Sequence, residues 1–309
     1  MKIFNNIKDF IKINNPVVTV GTFDGVHTGH QKILNRMKEA AKTINGETVL
    51  VTFYPHPRLV LHSDSKNLKF INTQEKKVKL LEKFGLDNLI IIPFTLEFAK
   101  TSSADFVKNI LVDVIQTRKL IVGYDHHFGK NRLGDFSILY DLGRKYGFDV
   151  ERVQAQNVNN INVSSTKIRN ALKEGKIKTA NQLLGYDYSI TGKVVEGNKI
   201  GRKIGFPTAN IDLENEYKLI AANGVYACRI EWKGKIYKGM GNIGVRPTVN
   251  NSDLTIEVHI FDFNEKIYNE TICISFTDRI RDEIKFDNLE KLRQQLVKDR
   301  EKVQAILEN

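Results

Sequence analysis

Two histidines lie in a glycine-rich segment between a predicted strand and a predicted helix. The segment VVTVGTFDGVHTGHQKIL places His27 and His30 where the helix is expected to begin. A helix N-terminus presents unpaired N–H groups and a positive dipole end, and glycine lets an anion approach the backbone closely. Imidazoles there can donate hydrogen bonds to phosphate oxygens, whose negative charge favours the protonated, donating form. The segment therefore predicts a phosphate-binding turn, whose glycines are Gly21, Gly25 and Gly29.

The two histidines also permit other interpretations. They can be a structural pair, or they can be half of a zinc site. A zinc site needs a third and a fourth ligand at recognisable spacing, and neither His56 nor His62 provides one. Phosphate binding is therefore the favoured hypothesis.

A second glycine-rich segment, GKVVEGNKIGRKIGFPTANI, leads into a strand predicted to begin near Thr208. Thr208 and Asn210 are two residues apart, so on a strand their side chains share one face. A hydroxyl and an amide oxygen there can converge on a cation carried by ATP phosphates. The alternative is an ordinary junction between a turn and a strand. The preceding loop is shaped by Gly201, Gly205 and Pro207.

A carboxylate occurs in a later strand-like segment, LTIEVHIFDF. Its aliphatic residues alternate with Glu257, His259 and Phe261, so the carboxylate should lie on the face opposite the aliphatic row. Such a glutamate can face a site, or it can be an exposed residue of the strand.

The predicted secondary structure that must position these residues changes near residue 185. Before it, strand-like runs alternate with helical patterns, which predicts an α/β fold with a doubly wound parallel sheet and helices on both faces. Ligands of such folds bind beyond the carboxyl ends of the strands. The predicted strands are 17–20, 48–53, 88–92, 119–122 and 149–153, and the predicted helices are 32–43, 74–84, 103–116, 166–172 and 177–184.

From residue 188 onward, short alternating segments separated by Gly, Asn and Asp turns predict a small antiparallel β-barrel. Apolar residues at helical spacing then predict a closing helix over 288–307. The chain is therefore expected to hold two domains, residues 1–184 and 185–309. The predicted barrel strands are 189–195, 225–232, 235–242, 255–261 and 270–276.

Composition excludes several classes of protein. Of the 309 residues, 41% are hydrophobic and 27% are charged, which is typical of a globular protein. No apolar run approaches the roughly 18 residues that a membrane span needs, and the first residues lack a signal-peptide pattern. Cys228 and Cys273 are expected to be small buried residues in a reducing compartment. The sequence therefore predicts a cytoplasmic protein that does not contact membranes.

The net charge of +11 is confined to the first predicted domain. Residues 1–184 hold 28 Lys and Arg against 17 Asp and Glu, whereas residues 185–309 hold 19 of each. Lys76, Lys77 and Lys79 interleave with apolar positions, as on the solvated face of a helix. No basic stripe with interleaved aromatics occurs, which favours phosphate-rich small molecules over nucleic acid as partners.

The string GTFDGVHTGH resembles the signature of nucleotidylyltransferases, specifically the adenylyltransferase half of bacterial bifunctional riboflavin kinase/FAD synthetases. The further motifs of that family follow in order: YPHP at 54–57, VGYDHHFGKNRLGD at 122–135 and VSSTKIR at 163–169. The string GFPTANI resembles the riboflavin kinase signature of the same family. Motifs of both halves thus extend over nearly the whole chain.

The resemblance implies an ATP site in the first domain, with His27 and His30 as its catalytic residues. Ser164, Ser165 and Thr166 would cap a helix whose N-terminus, with Arg169, clamps the ATP phosphates. The implied ATP-binding residues are Gly21, Phe23, Asp24, Gly25, His27, Gly29, His30, Ser164, Ser165, Thr166 and Arg169.

The resemblance also implies an FMN site beside that ATP site, formed by His56, Pro57, Asp125 and Phe128. Asp125 stands where the family carries Asn or Asp. The next two residues, His126 and His127, stand where the family usually has an aromatic and then a variable residue. Which side chain stacks on a ring in this loop is therefore open, as is any role of the two histidines.

In the second domain, the resemblance implies a kinase site. Thr208 and Asn210 would hold Mg²⁺, and Glu257 would accept the proton of a riboflavin hydroxyl as it attacks the γ-phosphorus of ATP. Arg246 is assigned to nucleotide or product. The implied ATP-binding residues are Gly192, Gly201, Lys203, Gly205, Pro207, Thr208 and Asn210, and the implied flavin-binding residues are Arg281, Glu283 and Phe286.

The implied activity is the synthesis of flavin cofactors in two steps. The second domain would convert riboflavin and ATP into FMN and ADP, and the first would convert FMN and a second ATP into FAD and pyrophosphate. Magnesium would serve both steps, and no nucleic acid, membrane or obligate protein partner is implied. The alternatives are a riboflavin kinase whose nucleotidylyltransferase half is decayed or differently specific, and a basic nucleic-acid-binding protein.

Overall fold

The computed structural model describes residues 1–61, 68–124, 136–197, 199–213, 215–247 and 252–308. The chain divides into two compact units, Met1–Ser165 and Thr166–Asn309. This division assigns residues 166–184 to the second unit. The functional domain boundary at residue 184 stays a prediction.

The first unit is built on a six-stranded sheet in which every pairing is parallel. Its strands are β1 (Lys2–Phe4), β2 (Val17–Val20), β3 (Thr48–Tyr54), β4 (Asn88–Pro93), β5 (Lys119–Gly123) and β6 (Asp149–Val153), followed by the hairpin β7 (Asn157–Val158) and β8 (Ile161–Asn162). All four residues of β2 are buried, because helices cover both faces of a parallel sheet. The predicted doubly wound sheet is confirmed.

In the first unit, His27, Thr73 and Ser102 each cap the first turn of a helix with a side-chain acceptor. The longest begins after His27 and buries a stripe of Ile33, Leu34, Met37, Ala40 and Ala41. The helices are α1 (Thr28–Thr43), α2 (Pro57–Leu61), α3 (Gln74–Lys83), α4 (Ser103–Phe106) and α5 (Phe136–Tyr146), with short 3₁₀ turns at Ile7–Asp9 and Phe98–Lys100.

The strand order β1-β4-β3-β2-β5-β6 reverses direction at β2. From β2 the chain proceeds to one side through β3 and β4, and later to the other side through β5 and β6. Open α/β sheets bind ligands beyond the carboxyl ends of the strands at such a switch point. The turn that carries His27 and His30 follows β2 directly, so the fold places it at this point.

Some elements of the first unit were missed or only partly predicted from the sequence. Lys2–Phe4 forms an edge strand, and Phe136–Tyr146 forms a helix, neither of which was predicted. The helix predicted over 103–116 starts as α4 but continues as a π-helical turn, Val107–Val112. A three-residue strand is too short to show a period, and a wider helical turn shifts the period locally.

The second unit contains a closed barrel with strand order β10-β13-β12-β11-β14-β9 and antiparallel pairing throughout. The predicted barrel and closing helix are confirmed. The barrel strands are β9 (Ser189–Val195), β10 (Ala209–Asp212), β11 (Gly224–Trp232), β12 (Lys235–Pro247), β13 (Ser252–Ile260) and β14 (Thr271–Arg281), and the helices are α6 (Ser165–Lys173), α7 (Ile177–Leu184), α8 (Ile200–Lys203) and α9 (Leu289–Glu308).

Helix α9 closes the barrel with an apolar stripe. Val303 and Leu307 pack in one cluster with Phe206, Met240 and Phe261. Within the described residues, no helix is both long and apolar enough to span a membrane. Cys228 is buried as expected, whereas Cys273 is only partly buried.

Candidate active sites

The turn between β2 and α1 holds His27 in a defined tautomer. His27 is the N-cap of α1, and its Nδ1 accepts a hydrogen bond from the backbone N–H of His30 at 3.3 Å. When the ring is neutral its proton therefore lies on Nε2, which is a hydrogen-bond donor. Phe23, Gly25 and Val26 adopt positive φ angles of 49°, 87° and 36° in this turn. Backbone in this sparsely populated region is common at ligand-binding turns.

The two imidazoles are stacked and held by a phenylalanine. The ring centroids of His27 and His30 are 3.6 Å apart, and those of Phe23 and His30 are 4.4 Å apart. The Nδ1 atom of His30 is enclosed and has no hydrogen-bond partner among the described residues. A Cβ at Gly21 or Gly29 would crowd the Phe23 or His27 ring at 3.1 Å and 3.2 Å. The sequence prediction that these residues form one turn is confirmed.

The protonation of His30 is set by its surroundings. Burial, followed by the charges of His27 and Lys77, lowers the pKa of His30 well below 6.5. The imidazole is therefore neutral at pH 7 in the protein without ligand. The rise of its pKa on phosphate binding stays a prediction for the bound state.

This lowered pKa predicts an acid-sensitive first unit. Because the folded pKa of His30 lies below 6.5, the unfolded chain binds the proton more readily. The stability that the folded protein gains by keeping His30 neutral is complete above a pH of about 6.5. It is lost as the pH falls towards the pKa of His30 in the folded protein, by at most about 1.4 kcal/mol per pH unit. We expect the melting temperature of the wild type to fall more between about pH 7.5 and about pH 5 than that of His30→Gln. Calorimetry that gives parallel pH dependences for the two proteins would contradict this.

Asp24 fixes the turn to its neighbours. Its carboxylate accepts hydrogen bonds from the backbone N–H groups of Ile71, at 3.0 and 3.2 Å, and Asn72, at 3.2 Å. Its backbone carbonyl accepts one from Ser165 Oγ at 2.9 Å. Asp24 thus connects the turn after β2 to the segment before α3 and to the first residue of α6. The ATP contact of Asp24 stays a prediction.

The start of α6 was predicted at the correct place. The helix begins at Ser165, directly after Ser164. Thr166 and Arg169 follow in the same helix and belong to the second unit. Their contacts to ATP phosphates stay predictions.

The interpretation of Lys77 as a solvated residue is wrong. Lys77 is only 8% exposed, because it shares the buried face of α3 with Leu80 and Leu81. Its ammonium donates to the carbonyl oxygen of Thr22 at 3.3 Å and to Thr52 Oγ1 at 3.4 Å. The sequence contained a signal, since Lys77 precedes two leucines by three and four residues. Lys79, by contrast, is exposed as predicted.

His56 and Pro57 lie at the carboxyl end of β3, where α2 begins. The Nδ1 atom of His56 accepts a hydrogen bond from the Arg58 backbone N–H at 3.1 Å. Its ring centroid lies 4.6 Å from that of Phe70, a residue that the sequence did not indicate. This ring pair suits contact with a flat heterocycle. The predicted loop residues Asp125, His126, His127 and Phe128, as well as His62, lie outside the described residues.

The barrel brings together the predicted kinase residues. Thr208 Oγ1 donates to Glu257 Oε2 at 3.2 Å. Asn210 on β10 and Asn242 on β12 are both cross-strand partners of Glu257 on β13, so the carboxylate lies between two amides. The aliphatic residues of β13 point into the barrel, as predicted. Asn242 was missed, because only strand pairing shows that it neighbours Glu257.

The glycines between Gly192 and Gly205 have distinct structural roles. Gly197 passes so close to the Asn210 side chain that a Cβ would overlap the amide. Gly201 accommodates the Phe206 carbonyl, and Gly205 has a φ of 83°. Gly192 is required by close packing of β9 on β10. The ATP contacts of these glycines, of Pro207 and of the exposed Lys203 stay predictions.

His259 is a further residue that the sequence did not assign. It is buried, and its Nδ1 lies 2.7 Å from the carbonyl oxygen of Pro207. Burial lowers the pKa of His259, although the contact with Pro207 opposes this effect. A neutral ring with its proton on Nδ1 donates this hydrogen bond. His259 therefore attaches the loop before Thr208 to β13.

The predicted flavin contacts include one residue with a strong structural role. Arg281 pairs with Asp299 of α9 at 2.7 Å, and Asp299 is fully buried. The guanidinium carbon also lies 5.9 Å from the centre of the Phe286 ring. Glu283 lies directly against Gly244 of β12. The flavin contacts of these residues stay predictions, and the side chain of Arg246 lies outside the described part of the chain.

The kinase residues fit a magnesium ion bound with ATP. The hydroxyl of Thr208 and the amide of Asn210 offer oxygen atoms, which Mg²⁺ prefers together with substrate phosphates. In the described residues, no cluster of three or more His, Cys, Asp and Glu side chains could hold a metal ion by itself. A site shared between a few side chains and phosphates is consistent with both observations.

Comparison with known families assigns each unit to a class. The family model described as FAD synthetase matches residues 11–167, and the one described as riboflavin kinase matches residues 184–307. The parallel sheet with its histidine turn and the barrel with its Thr-Asn-Glu cluster thus define a two-part enzyme of flavin nucleotide synthesis.

Full-length relatives narrow the class. Proteins named bifunctional riboflavin kinase/FMN adenylyltransferase are 40% identical in Buchnera aphidicola, covering 97% of this chain and 96% of the relative, and 39% identical in Listeria monocytogenes, covering 94% and 92%. A solved structure described as a macrolide-efflux protein from Streptococcus pneumoniae has a TM-score of 0.89 at 31% identity, covering 98% of both chains. The chain belongs to the bifunctional riboflavin kinase/FMN adenylyltransferase family.

Proposed function

We propose that this chain converts riboflavin to FMN in its barrel and FMN to FAD at the switch point of its parallel sheet, in the cytoplasm. The observation that carries this proposal is the presence of both clusters: a stacked histidine pair at the N-terminus of α1, and a hydroxyl, amide and carboxylate around β13. Each cluster lies in the part of the chain that matches the corresponding family model.

In adenylyl transfer, the FMN phosphate is already a nucleophile, so no strong base is required. The chain's task is electrostatic: His27, His30 and the N–H groups at the start of α1 stabilise negative charge on the α-phosphate and on the departing pyrophosphate. Because His27 accepts from the helix through Nδ1, it donates to phosphate through Nε2. The rings of Phe23 and His27 restrict His30, so little reorganisation is needed on binding.

In phosphoryl transfer, Glu257 accepts the proton of the attacking riboflavin hydroxyl. The hydrogen bond from Thr208 and the flanking amides of Asn210 and Asn242 orient this carboxylate. Thr208 and Asn210 would hold Mg²⁺, which when bound neutralises charge on the ATP phosphates. His259 positions Thr208 by binding the carbonyl of Pro207.

One experiment tests both activities. The protein is incubated with riboflavin, ATP and magnesium, and the flavins are separated by chromatography. We expect FMN to appear first and FAD to follow. FMN without FAD would overturn the adenylyl-transfer assignment and indicate a kinase with a decayed first half, whereas no phosphorylated flavin would overturn the whole proposal.

The close approach of Gly197 to Asn210 predicts a selective effect of a single methyl group. In Gly197→Ala the added Cβ displaces the Asn210 amide from its place beside Glu257. A displacement of about 1 Å in a positioned group costs up to about a hundredfold in rate. We expect kcat/KM for FMN formation to fall by about 10- to 100-fold. The same variant should convert supplied FMN to FAD at the wild-type rate, and an unchanged rate of FMN formation would contradict the prediction.

A further inference from the structure

The ammonium of Lys77 is buried against the turn of the adenylyltransferase site. Its Nζ donates to the carbonyl oxygen of Thr22, in the turn that precedes the histidines, and to Thr52 Oγ1 near the end of β3. Both partners lie at the carboxyl edge of the sheet, where ligands of this fold bind. The lysine side chain thus extends from α3 to the strand ends on which the site is built.

Burial of this ammonium opposes folding, so stability alone does not explain why a lysine occupies this position. A charged group transferred from water into a protein interior is destabilising, and its partners here are two neutral oxygens. Burial accordingly lowers the pKa of Lys77 to about 8, although the Asp24 carboxylate opposes the effect. A methionine would fill the same space without this cost.

The Lys77 ammonium interacts electrostatically with residues of the turn between β2 and α1. The charged group that acts on Lys77 is Asp24, in the turn after β2, and Lys77 itself acts on His30, on α1, which stacks on His27. The Lys77 ammonium contributes to the lowered pKa of His30, so its electric field reaches the histidine turn. A polyanion bound at that turn is attracted by this charge, which strengthens its binding.

We propose that Lys77 is a further positioning residue for adenylyl transfer: it holds Thr22 in place and supplies a buried positive charge to the polyphosphate bound at the His27–His30 turn. This inference rests on the proposed function of the first unit. Lys77 acts through the turn, because its side chain is enclosed between α3 and the strand ends.

The test uses the full chain and three variants. In Lys77→Met we expect kcat/KM for ATP in FAD formation from supplied FMN to fall at least about tenfold, the equivalent of one pKa unit of lost interaction. The matched control is Lys79→Met on the exposed side of the same helix, which should have wild-type activity. FMN formation from riboflavin should be equal in all proteins. Equal FAD formation by Lys77→Met and Lys79→Met would overturn the proposal.

A purely structural lysine would behave differently in two further measurements. The substitution Lys77→Met removes the free-energy cost of burying a charge, and this gain offsets the loss of two hydrogen bonds. The melting temperature of Lys77→Met should therefore stay within about 4 °C of the wild type. In the wild type, kcat/KM for ATP should fall as the pH rises through about 8, because the ammonium loses its proton. Lys77→Arg, which keeps its charge at all these pH values, should recover most of the rate and should lack this alkaline decrease.

The outcomes separate this inference from the proposed function. If the wild type forms no FAD from FMN, the proposed function fails. If the wild type forms FAD but shows no alkaline decrease, or if Lys77→Arg is as impaired as Lys77→Met, only the role of the Lys77 charge fails.

Discussion

Replacing His30 with alanine should lower the rate of FAD formation from FMN about a hundredfold or more, while FMN formation from riboflavin continues at the wild-type rate. One lost hydrogen-bond donor to a developing oxyanion costs about 3 kcal/mol of transition-state stabilisation. His30 is suited to this role because the rings of Phe23 and His27 fix it at the N-terminus of α1. The measurement is the initial rate of FAD formation with supplied FMN and saturating ATP.

The same chain provides the control for this variant. The barrel closes through its own strand pairs, so a folded His30→Ala protein retains the kinase site. Unchanged FMN formation therefore shows that the substitution acts on one site alone. Equal loss of both activities in a folded protein would refute the assignment of the two steps to two sites.

Replacing Glu257 with glutamine should stop FMN formation and leave FAD formation from supplied FMN intact. Glutamine keeps an oxygen that can accept the hydrogen bond from Thr208, so the substitution removes the basicity of the side chain and preserves its shape. A positioned general base contributes about 10²- to 10⁴-fold to a rate. We expect a decrease in kcat of this size, measured by chromatography of riboflavin and FMN.

An exposed glutamate on the same barrel gives a matched control. Glu231 lies on β11, outside the cluster around β13, and Glu231→Gln should phosphorylate riboflavin at the wild-type rate. If Glu257→Gln kept a wild-type kcat, the proton would have another acceptor and the proposed role of Glu257 would be wrong.

Much of the fold was predictable from local patterns. The four apolar residues of β2, the glycines after it and the histidine that caps α1 lie within a short stretch of chain, so their structure is encoded by neighbours. The alternation of β13 likewise predicted correctly that Glu257 lies opposite the aliphatic residues. The short edge strand and the π-helical turn escaped prediction because their local patterns are weak or irregular.

The residues that sequence reasoning missed have partners far along the chain. Lys77 contacts residues 55 and 25 positions earlier, and His259 contacts a carbonyl 52 positions earlier. Asn242 neighbours Glu257 only through the pairing of β12 with β13. No periodic pattern specifies such contacts, because they depend on how separate elements pack.

Short-range features of the chain were thus sufficient to establish the order of elements, the two sets of motifs and the chemical types of their side chains. Their electrostatic setting was decided by folding: the buried ammonium of Lys77, the neutral His30 and the carboxylate placed between two amides. Protonation depends on burial and on distances to other charges, and both exist only after remote segments have packed together.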